Sequence, residues 1–182
     1  MISSILSILK NDEERNEVAE LYETYSDRFY AIAYSKLHNR NDAEDAVIEA
    51  FSRIATKPEQ FFRIPAHKRV TYVDVIVRNI AIDMFRHNIR TETISDEELD
   101  AYASDISVED IAIGEISEGE LKVFIDSMPE SKKSALILRI MYDQSTAEIA
   151  HALGISETAA RKRLSDAGKM IKAFVEKGEQ DG

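Results

Sequence analysis

The chain has 182 residues, 44% of them hydrophobic, with 6 Gly, 3 Pro and no Cys. It is long enough for one or two globular domains with a buried core, and disulfides and thiolate metal sites are excluded. Its formal net charge of −11 is wrong for a nucleic-acid binder taken whole, but the imbalance is local. Residues 1–90 carry 13 basic and 14 acidic side chains, residues 121–182 carry 10 and 9, and residues 91–120 carry 11 acidic and no basic ones. With so few Gly, Pro and alternating β-branched runs, the expected fold is all-α: two small helical domains joined by an acidic flexible linker. The expected boundaries are an N-terminal extension over 1–12, a first domain over 13–90, the linker over 91–120 and a second domain over 121–178. The apolar run Met1–Leu9 is too short to span a bilayer and lacks a positive leader and a small-residue cleavage site. The expectation is a cytoplasmic protein without a membrane partner.

From Glu13 to Leu37 apolar residues recur at Val18, Leu21, Tyr22, Tyr25, Phe29 and Ile32. That spacing predicts one amphipathic helix, or two with a break near Ser26–Asp27. Tyr22, Tyr25, Phe29, Tyr30 and Tyr34 read either as core at helical spacing or as a platform on which bases stack. After a turn at His38–Asn41, Asn41 is expected to cap a second helix, with Glu44 closing a capping box. Ala43, Val47, Ala50, Phe51 and Ile54 would face inward. Asp42, Glu44, Asp45 and Glu49 stay outside, where acidic groups near a helix start oppose the macrodipole favourably. The same four carboxylates suit a docking patch for a basic partner. A metal site is a third reading, which no histidine or second carboxylate cluster supports.

Pro58–Lys68 is expected to be a loop pinned by Phe61, Phe62 and Ile64. A long helix over 69–90 follows, with Val70, Val73, Val77, Ile80 and Met84 as its core stripe. Tyr72, Asn79, Asp83, Arg86 and Arg90 fall on another face. An aromatic, an amide, a carboxylate and guanidiniums together suit base reading and phosphate holding. An Arg–Asp laced surface helix is the competing reading. Thr91–Glu120 is acidic and aperiodic, with short apolar islands at Leu99, Tyr102, Ile106, Ile111 and Ile113, and reads as an extended linker.

Leu121–Tyr142 predicts two helices separated at Met128–Pro129, the second capped near Ser131 and burying Ala135, Leu136, Leu138, Ile140 and Met141. Ser145–Ile171 then reads as two helices around a tight turn. Ser145 and Glu148 form a capping box, Gly154 supplies a positive backbone angle, Ile155 plugs the corner and Ser156 caps the second helix. Ala160, Leu164, Ala167 and Ile171 make a buried stripe, leaving Thr158, Arg161, Lys162, Ser165 and Lys169 outside. This is either a plain helical hairpin with a solvated basic face or a DNA-reading helix-turn-helix. No nucleophile–base pair, phosphate-cradling glycine loop or ligand constellation is evident, so neither an enzyme nor a cofactor or metal is expected.

Three motifs in order carry a resemblance. They are Asp42-Ala43-Glu44-Asp45-Ala46-Val47 with Phe51, then Val77-Arg78-Asn79-Ile80-Ala81-Ile82-Asp83-Met84-Phe85-Arg86, then Met128-Pro129 with Leu136–Tyr142, Glu148-Ile149-Ala150 and Arg163-Leu164. In these the chain resembles bacterial RNA polymerase sigma factors of the extracytoplasmic-function (ECF) type in the sigma-70 family. The resemblance implies a region 2-like bundle and a region 4-like helix-turn-helix. It implies that Asp42, Glu44, Asp45 and Glu49 meet the clamp helices of the polymerase largest subunit, with the flap as a further contact. Tyr72, Arg78, Asn79, Asp83, Arg86 and Arg90 would read the unpaired strand of the minus-ten element. Ser156, Thr158, Arg161, Lys162 and Ser165 would read the minus-thirty-five element in duplex DNA. The linker would thread the polymerase channel, where carboxylates replace a nucleic-acid polyanion. An anti-sigma factor is a third kind of partner the resemblance admits, and a stand-alone helix-turn-helix regulator is the alternative function. The sequence departs from the family pattern at Ile48, usually Gln, at Ala159-Ala160, usually Thr-Val, and at Asp166 and Gly168, usually basic.

Overall fold

A computed structural model describes residues 2–92 and 118–180. The part of the expected linker from 93 to 117 lies outside the described residues. Among the described residues there are helices and no strand, as the composition predicts. By proximity they form two compact units, one of 2–92 with 151–154 and the other of 118–150 with 155–180.

The first unit is built on α1 (Ile2–Leu6), α2 (Asp12–Leu37), α3 (Arg40–Thr56), α4 (Pro58–Phe62) and α5 (Ala66–Glu92). Asn11 caps α2 by accepting the Glu13 N–H, three acidic residues fill the first turn, and Lys36 stands in the last. The helix runs unbroken through Ser26–Asp27, since neither residue interrupts the ladder. It stops at His38, which takes the left-handed conformation (φ 52°) and donates its N–H to Tyr34 O. Asn39 then sits in an extended conformation, and its Oδ1 accepts from the N–H groups of Asn41 and Asp42. Asn39 is therefore the cap of α3, and Asn41 already lies inside the helix, which corrects the expected capping box at Asn41–Glu44. Pro58 opens α4 at its first turn, so part of the expected loop is helical.

Phe29 and Phe51 are fully buried, with ring centroids 5.8 Å apart, and Tyr22 meets Phe51 edge-on at 5.1 Å. Tyr25 and Tyr34 remain exposed, so the aromatics of α2 divide between core and surface. The N-terminal extension is part of the fold: Ile5 and Leu9 are buried, and Arg15 donates to the carbonyls of Leu6 and Leu9 at 3.2 and 2.6 Å. Two charged clamps fix α5 against α2. Arg28 holds Asp74 through both carboxylate oxygens, at 3.1 and 2.5 Å. Arg69 pairs with Glu17, donates to the carbonyls of Phe62 and Ile64, and lies over the Phe62 ring at 4.9 Å from its centroid.

The second unit holds α6 (Glu118–Ser127), α7 (Glu130–Tyr142), α8 (Thr146–Leu153) and α9 (Glu157–Gln180), residues 151–154 excepted as above. Pro129 precedes α7 directly and makes no side-chain cap, so Ser131 falls in the first turn and is not the cap. Ser134, Ala135, Leu136, Leu138 and Tyr142 are buried along α7, whereas Ile140 and Met141 are more than half exposed. Those two residues lie off the buried face in the last turn, which corrects their expected burial. Met128, Leu136, Ala167, Ile171 and Val175 form the core, with Leu121, Phe124, Ile125 and Met170 packed around it. Phe124 stacks on Phe174 at 4.2 Å.

Candidate functional site

The helix-turn-helix is assembled by local chemistry. Ser145 Oγ accepts the Glu148 N–H at 3.3 Å while the Glu148 carboxylate accepts the Ser145 N–H at 2.8 Å, closing the expected capping box. Gly154 takes φ +66°, and the Ile155 N–H returns to Ala150 O at 2.9 Å, ending α8. Ser156 Oγ accepts the Ala159 N–H at 3.1 Å and starts α9. Ala160, Leu164, Ala167 and Ile171 are buried as the spacing predicts. Thr158, Arg161 and Lys169 are exposed and Lys162 is half-buried. Ser165 is buried, at 4% exposure, because the inward band of α9 widens to take in the small residues Ser165 and Gly168. This corrects its expected place on the open face. Asp166 lies 3.9 Å from Lys132 on α7, which offsets part of its charge within the unit.

On α5 the residues expected to read a strand are not equally placed. The helix is enclosed over the consecutive positions Tyr72–Val77, a band much wider than one stripe. Tyr72 is accordingly buried, its ring 6.0 Å from that of Phe61, and Asn79 is buried as well, which corrects the expectation that both stand on an open face. Asn79 Nδ2 donates to Asp83 Oδ2 at 3.0 Å, and Arg86 lies 3.9 Å from the other oxygen of that carboxylate. Asp83 and Arg78 are half-buried and Arg86 is exposed. The side chain of Arg90 lies outside the described residues.

The four carboxylates of α3 also separate. Asp42 accepts from Asn88 Nδ2 on α5 at 3.1 Å, and Glu49 accepts from Arg53 Nε at 2.8 Å. Glu44 and Asp45 are exposed and have no partner among the described residues. They border an open groove of about 310 Å³ between α2 and α3. Tyr22, Asp27 and Tyr30 form its α2 wall, and Val47 and Ile48 add an apolar surface on the α3 side. The sequence reading missed Asp27. The available signal was Tyr22, Ser26 and Tyr30 at four-residue intervals, which put one ridge of α2 beside Asp27. Among the described residues no three His, Cys, Asp or Glu side chains converge as metal ligands, and no helix is long and apolar enough to cross a membrane.

Known proteins match both units. The family model for Sigma-70 region 2 matches residues 21–91, and that for Sigma-70, region 4 matches residues 118–171. The ECF RNA polymerase sigma factor BldN of Streptomyces coelicolor is 28% identical over 149 residues, covering 81% of this chain and 56% of the relative. The ECF RNA polymerase sigma factor SigE of Mycolicibacterium smegmatis is 26% identical, covering 87% of this chain and 61% of the relative. The chain thus spans little more than half the length of these two relatives. The ECF RNA polymerase sigma factor SigM of Bacillus subtilis is 24% identical over 90% of this chain and 98% of its own. The two regions occur in one order and together cover more than half of the chain, which belongs to the sigma-70 family as a factor of the ECF type.

Proposed function

We propose that this protein is a promoter-specificity subunit of bacterial RNA polymerase. It binds the core enzyme, recognises and opens promoter DNA and directs initiation, acting in the cytoplasm as a binding factor and not as an enzyme. The observation that carries this reading is the succession of region 2 and region 4 along one chain, the second containing the helix-turn-helix. In it the first domain docks on the clamp helices and grips the minus-ten strand, and the second places α9 in the major groove of the minus-thirty-five element. Exposed Arg86, with Arg78 and Arg90, supplies phosphate contacts. Asp83 meets a base edge, held in orientation by the buried Asn79 amide. Thr158, Arg161 and Lys162 read the duplex, and Ser156 sets the start of their helix. Strand opening costs a few kcal/mol per unstacked base, which these contacts must offset. The polymerase flap and an anti-sigma factor are further partners in this reading. A stand-alone DNA-binding regulator would leave the region 2 match and the open acidic groove without a role.

Run-off transcription with purified polymerase core on a promoter library tests the proposal. Defined start sites that depend on the protein are expected, and they should fade with Arg86→Ala and Asp83→Ala. Failure to associate with core, or association without any defined start, overturns it.

A further inference from the structure

We propose that Asn88 is a positioning residue for promoter opening: by donating to Asp42 it fixes the projecting end of α5, where the strand is read, against the start of α3. The strand-reading role of α5 given above is its premise. Helix α5 is held near its beginning by Arg69 on Glu17 and by Arg28 on Asp74. Its enclosure ends at Ala81: Ile82, Asp83 and Met84 are half-buried, and Phe85, Arg86, His87 and Asn88 are exposed. Asp83 and Arg86, which would meet the strand, therefore stand on a helix end that outruns the core. From Asp74 to Asn88 the helix rises about 21 Å, so a small tilt at the clamps becomes a large displacement at the far end.

Asn88 Nδ2 donates to Asp42 Oδ2 at 3.1 Å, across 46 positions of sequence. The acceptor is itself held in place. Asp42 is half-buried in the first turn of α3, and its own N–H donates to the capping Oδ1 of Asn39 at 3.3 Å. The positive end of the α3 macrodipole favours its ionised form, which makes the bond from Asn88 charge-assisted. Around the α5 axis Asn88 lies about 140° from Asp83 and about 160° from Arg86, on the opposite side of the helix. It holds the helix end from behind and leaves the surface that meets the strand open. Of the four carboxylates of α3 expected to dock, Asp42 is the one bonded to α5, so its task is internal.

The test uses full-length variants, purified polymerase core and a promoter drawn from the run-off library, with a fluorescent adenine analogue in its minus-ten element. Strand opening is read from that fluorescence at saturating protein, and core affinity from anisotropy, at a temperature where circular dichroism shows each variant folded. Asn88→Ala should reduce opening about fivefold, the size of one lost hydrogen bond, and leave core affinity within about twofold. Asn88→Asp should reduce opening about tenfold, because two carboxylates then face each other. Adding Asp42→Asn to Asn88→Asp exchanges donor and acceptor and should restore opening to within about twofold of the unaltered protein. An Asn88 that touched DNA itself would not be rescued in this way. If Arg86→Ala lowers opening and neither Asn88 variant does, strand reading by α5 stands and the proposal is overturned. A loss at Asn88→Asp that Asp42→Asn does not repair overturns it too, as does one matched by an equal loss of core affinity. If Arg86→Ala leaves opening intact as well, α5 is not the strand-reading helix and the premise fails.

Discussion

The two units hold their helices in register by different means. In the first, side chains far apart in sequence are tied across helices: Arg28 to Asp74, Arg69 to Glu17, and Asn88 to Asp42. In the second, neighbours do the work: Ser145 with Glu148, and Ser156 with Ala159, followed by one apolar stripe on α9. The difference follows from helix length. Helices α2 and α5 have 26 and 27 residues, so their ridges offer several packing offsets, and charge pairs with one member shielded from solvent single out one of them. Helix α8 has only 8 residues and is marginal by itself, so its ends must be fixed by caps.

The largest effect that sharpens this contrast is expected at Arg28. Its removal leaves the Asp74 carboxylate, 7% exposed as a residue, without its bidentate partner. Arg28→Ala should therefore cost about 1–3 kcal/mol, the range for stranding a buried acceptor. Asp74→Ala should cost less, since the half-exposed guanidinium can return to water. Asp74 raises the Arg28 pKa through its hydrogen bond and its charge, so the guanidinium stays charged at neutral pH and the pair is not lost there by its deprotonation. Urea unfolding followed by far-ultraviolet circular dichroism measures both. Equal losses, or a loss too small to detect at Arg28, would show that packing alone sets the register of α2 on α5.

A smaller effect, of about 1 kcal/mol, is expected from Ser145→Ala, which removes one half of the capping box. It should appear first as faster amide hydrogen exchange in α8, with α3 unaffected. Unchanged protection of α8 would mean that tertiary packing, not the cap, holds that helix, and the contrast between the units would disappear.

This contrast also explains what could be read in advance. The helix-turn-helix was legible almost residue by residue, because each signal acts within four positions of itself. Ser165 was the exception: its polarity placed it outside, whereas its small volume allows burial beside Gly168. In the first unit the helices were legible from periodicity, but their azimuths were not. Tyr72 and Asn79 share a face with Asp83 in any helical projection, and only the enclosure of α5, which is buried over Tyr72–Val77 and again over Asn79–Ala81, separates them. The acidic motif on α3 was visible as a group of four. Which of its carboxylates are free depends on Asn88, 46 positions from Asp42, and the local pair Glu49–Arg53 was overlooked among the carboxylates. Asp27 is not legible as part of the acidic group because the other carboxylates of the groove, on Glu44 and Asp45, stand on another helix.

The smallest effect concerns the surface pairs of the second unit. Lys133 Nζ lies 2.8 Å from Asp126 Oδ1, and its hydrogen bond and charge hold the Asp126 carboxyl below the usual carboxylate range. A lowered folded-state pKa contributes stability that is complete above the unfolded value and is lost as pH falls through the folded one. The melting temperature of the protein should therefore exceed that of Asp126→Asn slightly at neutral pH. The gap should close in acid and shrink in high salt, because the Asp126 carboxylate is exposed and screened. A gap that survives both acid and salt would assign the effect to the shape of the side chain. One as large as the loss at Arg28 would mean that charge pairs between helices set the register of the second unit too, and the two units would then differ only in how far along the chain the paired residues stand.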